Sequence, residues 1–88
     1  MSMKRIIEDT ESQGLVSLLG EKVVLLCMNY TYAGKLTGVN SDHVELEDAH
    51  IVYETGEWSS TKWKDAQKLS MQPTRVMIDK IEAYGVGK

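Results

Sequence analysis

The stretch Thr31-Tyr32-Ala33-Gly34-Lys35-Leu36-Thr37-Gly38-Val39-Asn40-Ser41-Asp42-His43-Val44-Glu45-Leu46-Glu47-Asp48-Ala49 decides the fold. Residues 31–39 read as a strand that carries Gly34 and Gly38 inside it, and interior glycines mark bends, bulges or close backbone approach. A strand with two such points curves sharply enough to serve both sides of a small barrel. Asn40-Ser41-Asp42 has turn chemistry, because short polar side chains bond their own backbone. The next strand covers 43–54. Val44 and Leu46 point one way and Glu45 and Glu47 the other, but after Asp48 the parity inverts, with Ala49, Ile51 and Tyr53 in step. The inversion predicts a bulge or sharp bend near Asp48.

Upstream lies a strand over 22–29. Val23, Leu25 and Cys27 share one face, and Val24, Leu26 and Met28 share the other. Both faces are apolar, so both are expected to be covered. A short helix over 10–19 precedes it. Thr10 with Gln13 fits a capping box, Glu8 and Asp9 suit the positive helix start, and Gly20 supplies the stop. Downstream, 55–73 reads as a long loop in which Lys62 to Leu69 has room for one or two helical turns. Pro73 permits only a strand start or an edge. Two short strands follow, 74–78 and 80–84, with only Asp79 between them, and the tail after Gly85 is expected to fray. The expectation is one mainly β domain: a short N-terminal α-helix followed by a five-stranded, strongly bent antiparallel small barrel.

A chain of 88 residues buries a modest core and is commonly helped by metal, disulfides or self-association. Cys27 is the sole cysteine, so no internal disulfide forms, and His43 and His50 show no zinc spacing. No metal and no cofactor are therefore expected, and self-association is the remaining source of stability. The balance of 10 Lys+Arg against 13 Asp+Glu argues against a general polyanion binder, so any nucleic-acid contact must be local. A hydrophobic content of 42% is too high for a disordered chain. Met1 to Asp9 holds no long apolar stretch, so no signal peptide is expected. The apolar run Val23 to Met28 is too short to span a bilayer. Together with one unpaired cysteine, these features favour a cytoplasmic protein.

Leu19-Gly20-Glu21-Lys22-Val23-Val24-Leu25 resembles the opening of the first motif of the Sm and Sm-like (Lsm) family, and Gly34-Lys35-Leu36-Thr37-Gly38-Val39 resembles its glycine-bearing second strand. Val44-Glu45-Leu46-Glu47-Asp48-Ala49 resembles the strand that closes the motif. The phrases Leu26-Cys27-Met28-Asn29-Tyr30, Ile51-Val52-Tyr53-Glu54-Thr55-Gly56 and Ile81-Glu82-Ala83-Tyr84-Gly85 are similar to Sm-like proteins of cyanophage and marine metagenomic origin. The resemblance implies an SH3-type barrel and a homo-oligomeric ring of roughly five to seven copies, with five favoured, closed by head-to-tail contacts. It implies a role in binding RNA or single-stranded DNA and, for a phage protein, the host cytoplasm. The chain departs from the family where uridine is gripped. Ile78-Asp79-Lys80 stands where Ile-Arg-Gly is expected, and Tyr30 replaces the usual turn glycine.

By this resemblance the loop Asn40, Ser41, Asp42, His43 and the pair Asp79, Lys80 line one opening of the ring. Amide, hydroxyl and imidazole groups there read base edges or stack, or else Asn40 to Asp42 simply make a turn. Trp58 and Trp63, beside Lys62 and Lys64, are either a stacking platform for single-stranded bases or an anchor of the long loop on the barrel or a neighbour. The anchor is the favoured reading. Cys27 lies mid-strand among apolar residues and reads as a small hydrophobe. No catalytic residue is assigned, no small-molecule substrate is expected, and the chain does not read as an enzyme. Two roles remain. One is a ring that binds single-stranded nucleic acid with low specificity through avidity. The other is a structural or protein-interaction ring, such as a phage assembly factor.

Overall fold

The computed structural model describes residues 14–87. Of the helix expected over 10–19, residues 10–13 lie outside this range. Within it, residues 14–16 are helical and 17–20 form a turn, closed by the Leu18 and Leu19 amides on the carbonyls of Leu15 and Val16 at 3.0 and 3.1 Å. Gly20 ends the segment at φ +89°, as a left-handed stop requires.

Six strands follow among the described residues: β1 (Lys22–Cys27), β2 (Thr31–Val39), β3 (His43–Glu54), β4 (Asp65–Lys68), β5 (Thr74–Met77) and β6 (Ile81–Val86). They form one antiparallel sheet in the order β4-β3-β2-β1-β6, with β5 also on β3. β3 is long enough to serve two partners on one side. His43 to Leu46 pair with β5, and His50 to Glu54 pair with β4. The change of partner falls at the inverted parity. Between Ala33 and Lys35 of β2, β3 advances from His50 to Glu47, so it carries the extra residue of a bulge. Asp48 sits there at φ +51°, a conformation Asp tolerates better than most residues. Its amide donates to Gln72 Oε1 at 3.3 Å, and its carboxylate meets Lys68 Nζ at 3.2 Å. Val44, Leu46 and Ala49 consequently all reach the core and are all 0% exposed. Leu15, Val23, Leu25, Leu36 and Val76 complete that cluster.

Three expectations need correction. The barrel does not close, because β5 and β6 do not pair with each other. A 3-10 turn, Ile78–Lys80, carries the chain from the β3 side of the sheet to β1, so consecutive strands lie at opposite ends. Among the described residues the strand count is six and not five, since 55–73 is not one loop and its 62–69 part is not helical. Asp65–Lys68 becomes a strand by pairing with β3, despite a sequence of low β propensity. The tail does not fray at Gly85. β6 runs to Val86, and the Gly87 amide donates to the Lys22 carbonyl at 2.9 Å. β1 ends at Cys27, short of the expected 29, and its second apolar face is covered only in part: Val24 is buried and Leu26 half-buried, while Met28, just past the strand, is exposed.

Candidate nucleic-acid interface

Asn40, Ser41 and Asp42 link β2 to β3, and the Asn40 amide closes the turn on the His43 carbonyl at 2.8 Å. The His43 ring is held from both sides. Its Nδ1 lies 2.7 Å from Asp42 Oδ1 and its Nε2 3.1 Å from Asn40 Nδ2. A neutral ring with its proton on Nδ1 satisfies both contacts, donating to the carboxylate and accepting from the amide. Glu45 Oε2 stands 3.6 Å from Nε2 and 3.5 Å from Arg75 Nε. The bond from His43 holds the Asp42 carboxyl below its ordinary value of 3.8. A carboxyl lowered by folding stabilises the fold above its unfolded pKa, and that contribution disappears as pH falls through the folded value. His43→Ala is therefore expected to return Asp42 to the ordinary range, with a small change in acid stability because the group is exposed. A carboxyl-carbon NMR titration that leaves Asp42 unmoved in the variant contradicts this pairing.

The second predicted segment docks on the first. The Ile78 amide donates to the Asp42 carbonyl at 3.0 Å, and the Met28 amide donates to the Lys80 carbonyl at 3.0 Å. The 3-10 turn is thus fixed between the β2–β3 loop and the β1–β2 turn. Its flanking side chains are nevertheless divided between two clefts. Asn40 and Ser41 border one with Leu15, Val39, Ile78 and Tyr84. Lys80 borders the other, a cleft of about 520 Å³, with Met28, Tyr30, Tyr32, Arg75 and Met77. Asp79 and Lys80 are both exposed. The backbones of the two predicted loops meet, but Lys80 shares no cleft with Asn40 and Ser41.

Sequence reasoning passed over Tyr30, Tyr32 and Arg75. The two rings pack edge to face, with centroids 6.4 Å apart and planes at 63°. Burial, then the neighbouring Cys27 and Tyr30, pushes the Tyr32 hydroxyl up. No local signal groups these residues with Lys80, because they come from three separate segments of the chain. Burial and then the charge of Glu82 push the Cys27 thiol up, so the thiolate that a nucleophile needs is disfavoured.

Trp58 and Trp63 meet at the other end of β3, in the loop joining it to β4. Their rings are edge to face, with centroids 5.7 Å apart and planes at 86°. Trp58 is 57% exposed, Trp63 is half-buried, and Lys62 and Lys64 are exposed. The two tryptophans pack on each other within the loop, and Trp58 keeps the larger exposed surface. Among the described residues no helix is long and apolar enough to cross a membrane, and no three His, Cys, Asp or Glu are grouped to hold a metal ion. No known protein-family model matches the chain, and neither a curated protein nor a solved structure matches it.

Proposed function

We propose that the chain is an Sm-like protein that assembles into a homo-oligomeric ring and binds single-stranded RNA or DNA with little sequence preference. The observation that carries the assembly is the set of open edges. Among the described residues β4 and β5 pair only with β3, and β6 pairs only with β1. Exposed edges in a monomer are usually blunted by charge or proline; Pro73, Arg75 and Glu82 lie at or beside these strands, but Met77, Tyr84 and Val86 also stand on them at 47%, 41% and 62% exposure. Adding β6 of one copy to β5 of the next satisfies those two edges and leaves the β4 edge open. The contact is head to tail, so a ring closes when the rotation per subunit divides a full turn, at roughly five to seven copies. One Lys80 per subunit then repeats a weak phosphate contact, and avidity makes the sum useful. A cytoplasmic setting, where Cys27 stays a thiol, suits this role.

A structural ring is the second reading. It is favoured by the acidic groups at the β2–β3 end, Asp42, Glu45, Glu47 and Asp48, and by the ion pairs that engage Arg75 and Lys68. Light scattering decides assembly. The expected mass is a multiple of 9.9 kDa, and Met77→Lys, which puts a charge on the β5 edge, is expected to yield monomer. A monomeric wild type at micromolar concentration sinks the ring. Fluorescence anisotropy with labelled single-stranded RNA and DNA decides binding. The expected affinity falls steeply with salt, and Lys80→Ala weakens it across sequences while flattening the salt slope. His43→Ala is expected to cost less. An intact ring that binds nothing at low salt leaves only the structural reading.

A further inference from the structure

We infer that the tip of the β3–β4 hairpin is a second contact for single-stranded nucleic acid, in which a base stacks on Trp58 while Lys62 and Lys64 meet the flanking phosphates. The inference rests on the nucleic-acid reading above, but it places a contact at the opposite end of β3 from the Asn40–His43 loop.

The tip is built rather than slack. Ten residues, 55–64, join β3 to β4. The Ser60 amide donates to the Glu57 carbonyl at 3.0 Å, closing a turn with Trp58 at its second position. Ser60 Oγ then accepts from the Lys62 amide and donates to the Lys62 carbonyl, each at 3.2 Å. This fixes the backbone of one lysine relative to the turn that presents Trp58. Half-buried Trp63 supports the edge-to-face pair, and Trp58 retains the larger exposed surface. An indole held this way stacks with little loss of side-chain freedom.

Charge selects the occupant. Residues 55–64 carry Lys62 and Lys64 against Glu57, a local net of +1 in a chain of net −3. A cationic segment around an exposed aromatic surface fits an alternating polymer of phosphates and flat rings. It fits a wholly apolar partner less well, because the lysines would have to be desolvated. Stacking on an aromatic ring tolerates any base, which agrees with low sequence preference. In a ring each copy contributes one such tip, so weak individual contacts act together.

Both tryptophans of the chain lie at this tip, so intrinsic emission reports on it alone. Titration of the full-length protein with unlabelled oligodeoxythymidylate is expected to quench that emission along the same isotherm that anisotropy gives. Trp58→Ala is expected to weaken binding roughly five- to hundredfold, and Trp58→Tyr to restore most of it. The paired Lys62→Gln and Lys64→Gln changes are expected to weaken binding and lower the salt slope. Trp58→Ala also removes the edge-to-face contact with Trp63, so a lower melting temperature with the β-sheet circular dichroism retained is expected, and rescue of binding by Trp58→Tyr separates lost contact from lost fold. If anisotropy shows binding while emission is unmoved and Trp58→Ala binds as wild type, this contact is overturned and the nucleic-acid reading stands. Emission protected from iodide in the assembled protein without any oligonucleotide overturns it too, since a neighbouring copy then covers the indole. If neither signal moves, the nucleic-acid reading falls with it.

Discussion

Gly34→Val is expected to lower the melting temperature by roughly 10–25 °C, from a cost near 3 kcal/mol at about 4–8 °C per kcal/mol in a domain of this size. A Cβ at this position would stand 2.9 Å from the Glu47 carbonyl oxygen, 3.1 Å from Ala49 Cα and 3.3 Å from Leu46 Cβ. Two of those atoms belong to the backbone, so no rotamer change removes the conflict. They also flank the Asp48 bulge, where β3 changes partner from β5 to β4. Relief therefore means moving the element that holds two other strands. A valine brings two further methyl groups into the same space. The entropy lost by the unfolded chain when glycine is replaced returns only about 0.4–1 kcal/mol. Gly34→Ala meets the same first contacts and is expected to fall between wild type and valine. Thermal unfolding followed by circular dichroism measures both. Melting of Gly34→Val at the wild-type temperature contradicts the close crossing of β2 and β3.

How much of this was legible beforehand differs by element. β2 and β3 occupy 31–39 and 43–54, the ranges their alternation indicates, because glycines and a polar turn punctuate a clear period of two. The inverted parity after Asp48 pointed to the bulge through Ala49, although Tyr53 on the same step is 53% exposed and Val52 on the other is buried. β4 was not legible. Asp65-Ala66-Gln67-Lys68 has no apolar alternation, and only its register against His50 to Glu54 makes it a strand. The failure of the sheet to close was also hidden, because it depends on where three residues, Ile78 to Lys80, send the chain. At the candidate site the residue types were readable but their directions were not. Nothing local in the sequence tells that Lys80 joins Tyr30 and Arg75 in one cleft while Asn40 and Ser41 border another, or that Trp58 packs against Trp63.

Leu46→Ala is expected to cost about 2–5 kcal/mol, as truncation of a buried leucine does when the site cannot collapse. Leu46 is 0% exposed, lies opposite Leu36 of β2 on one side and Thr74 of β5 on the other, and belongs to the central cluster. Strands hydrogen-bonded on both sides hold their spacing, so the lost methyl groups leave a void. At about 0.05–0.15 kcal/mol per residue, the whole domain commands roughly 4–13 kcal/mol, and the truncation removes a large share of it. Exposed Glu47, its neighbour on the opposite face, provides the contrast, and Glu47→Ala is expected to stay within about 0.5 kcal/mol. The sharper test lies across the bulge. Ala49 is three residues beyond Leu46, so an unbroken strand would turn it to the other face, yet it too is 0% exposed. Its carbonyl is also held by the Leu69 amide at 2.8 Å, which pins the backbone there. Ala49→Leu therefore forces a larger side chain into filled space and is expected to cost about 1–3 kcal/mol. Urea unfolding of the three variants reads all of these values. A harmless Ala49→Leu beside a costly Leu46→Ala means that the parity does not invert at Asp48, and the strand exchange built on that inversion is then wrong.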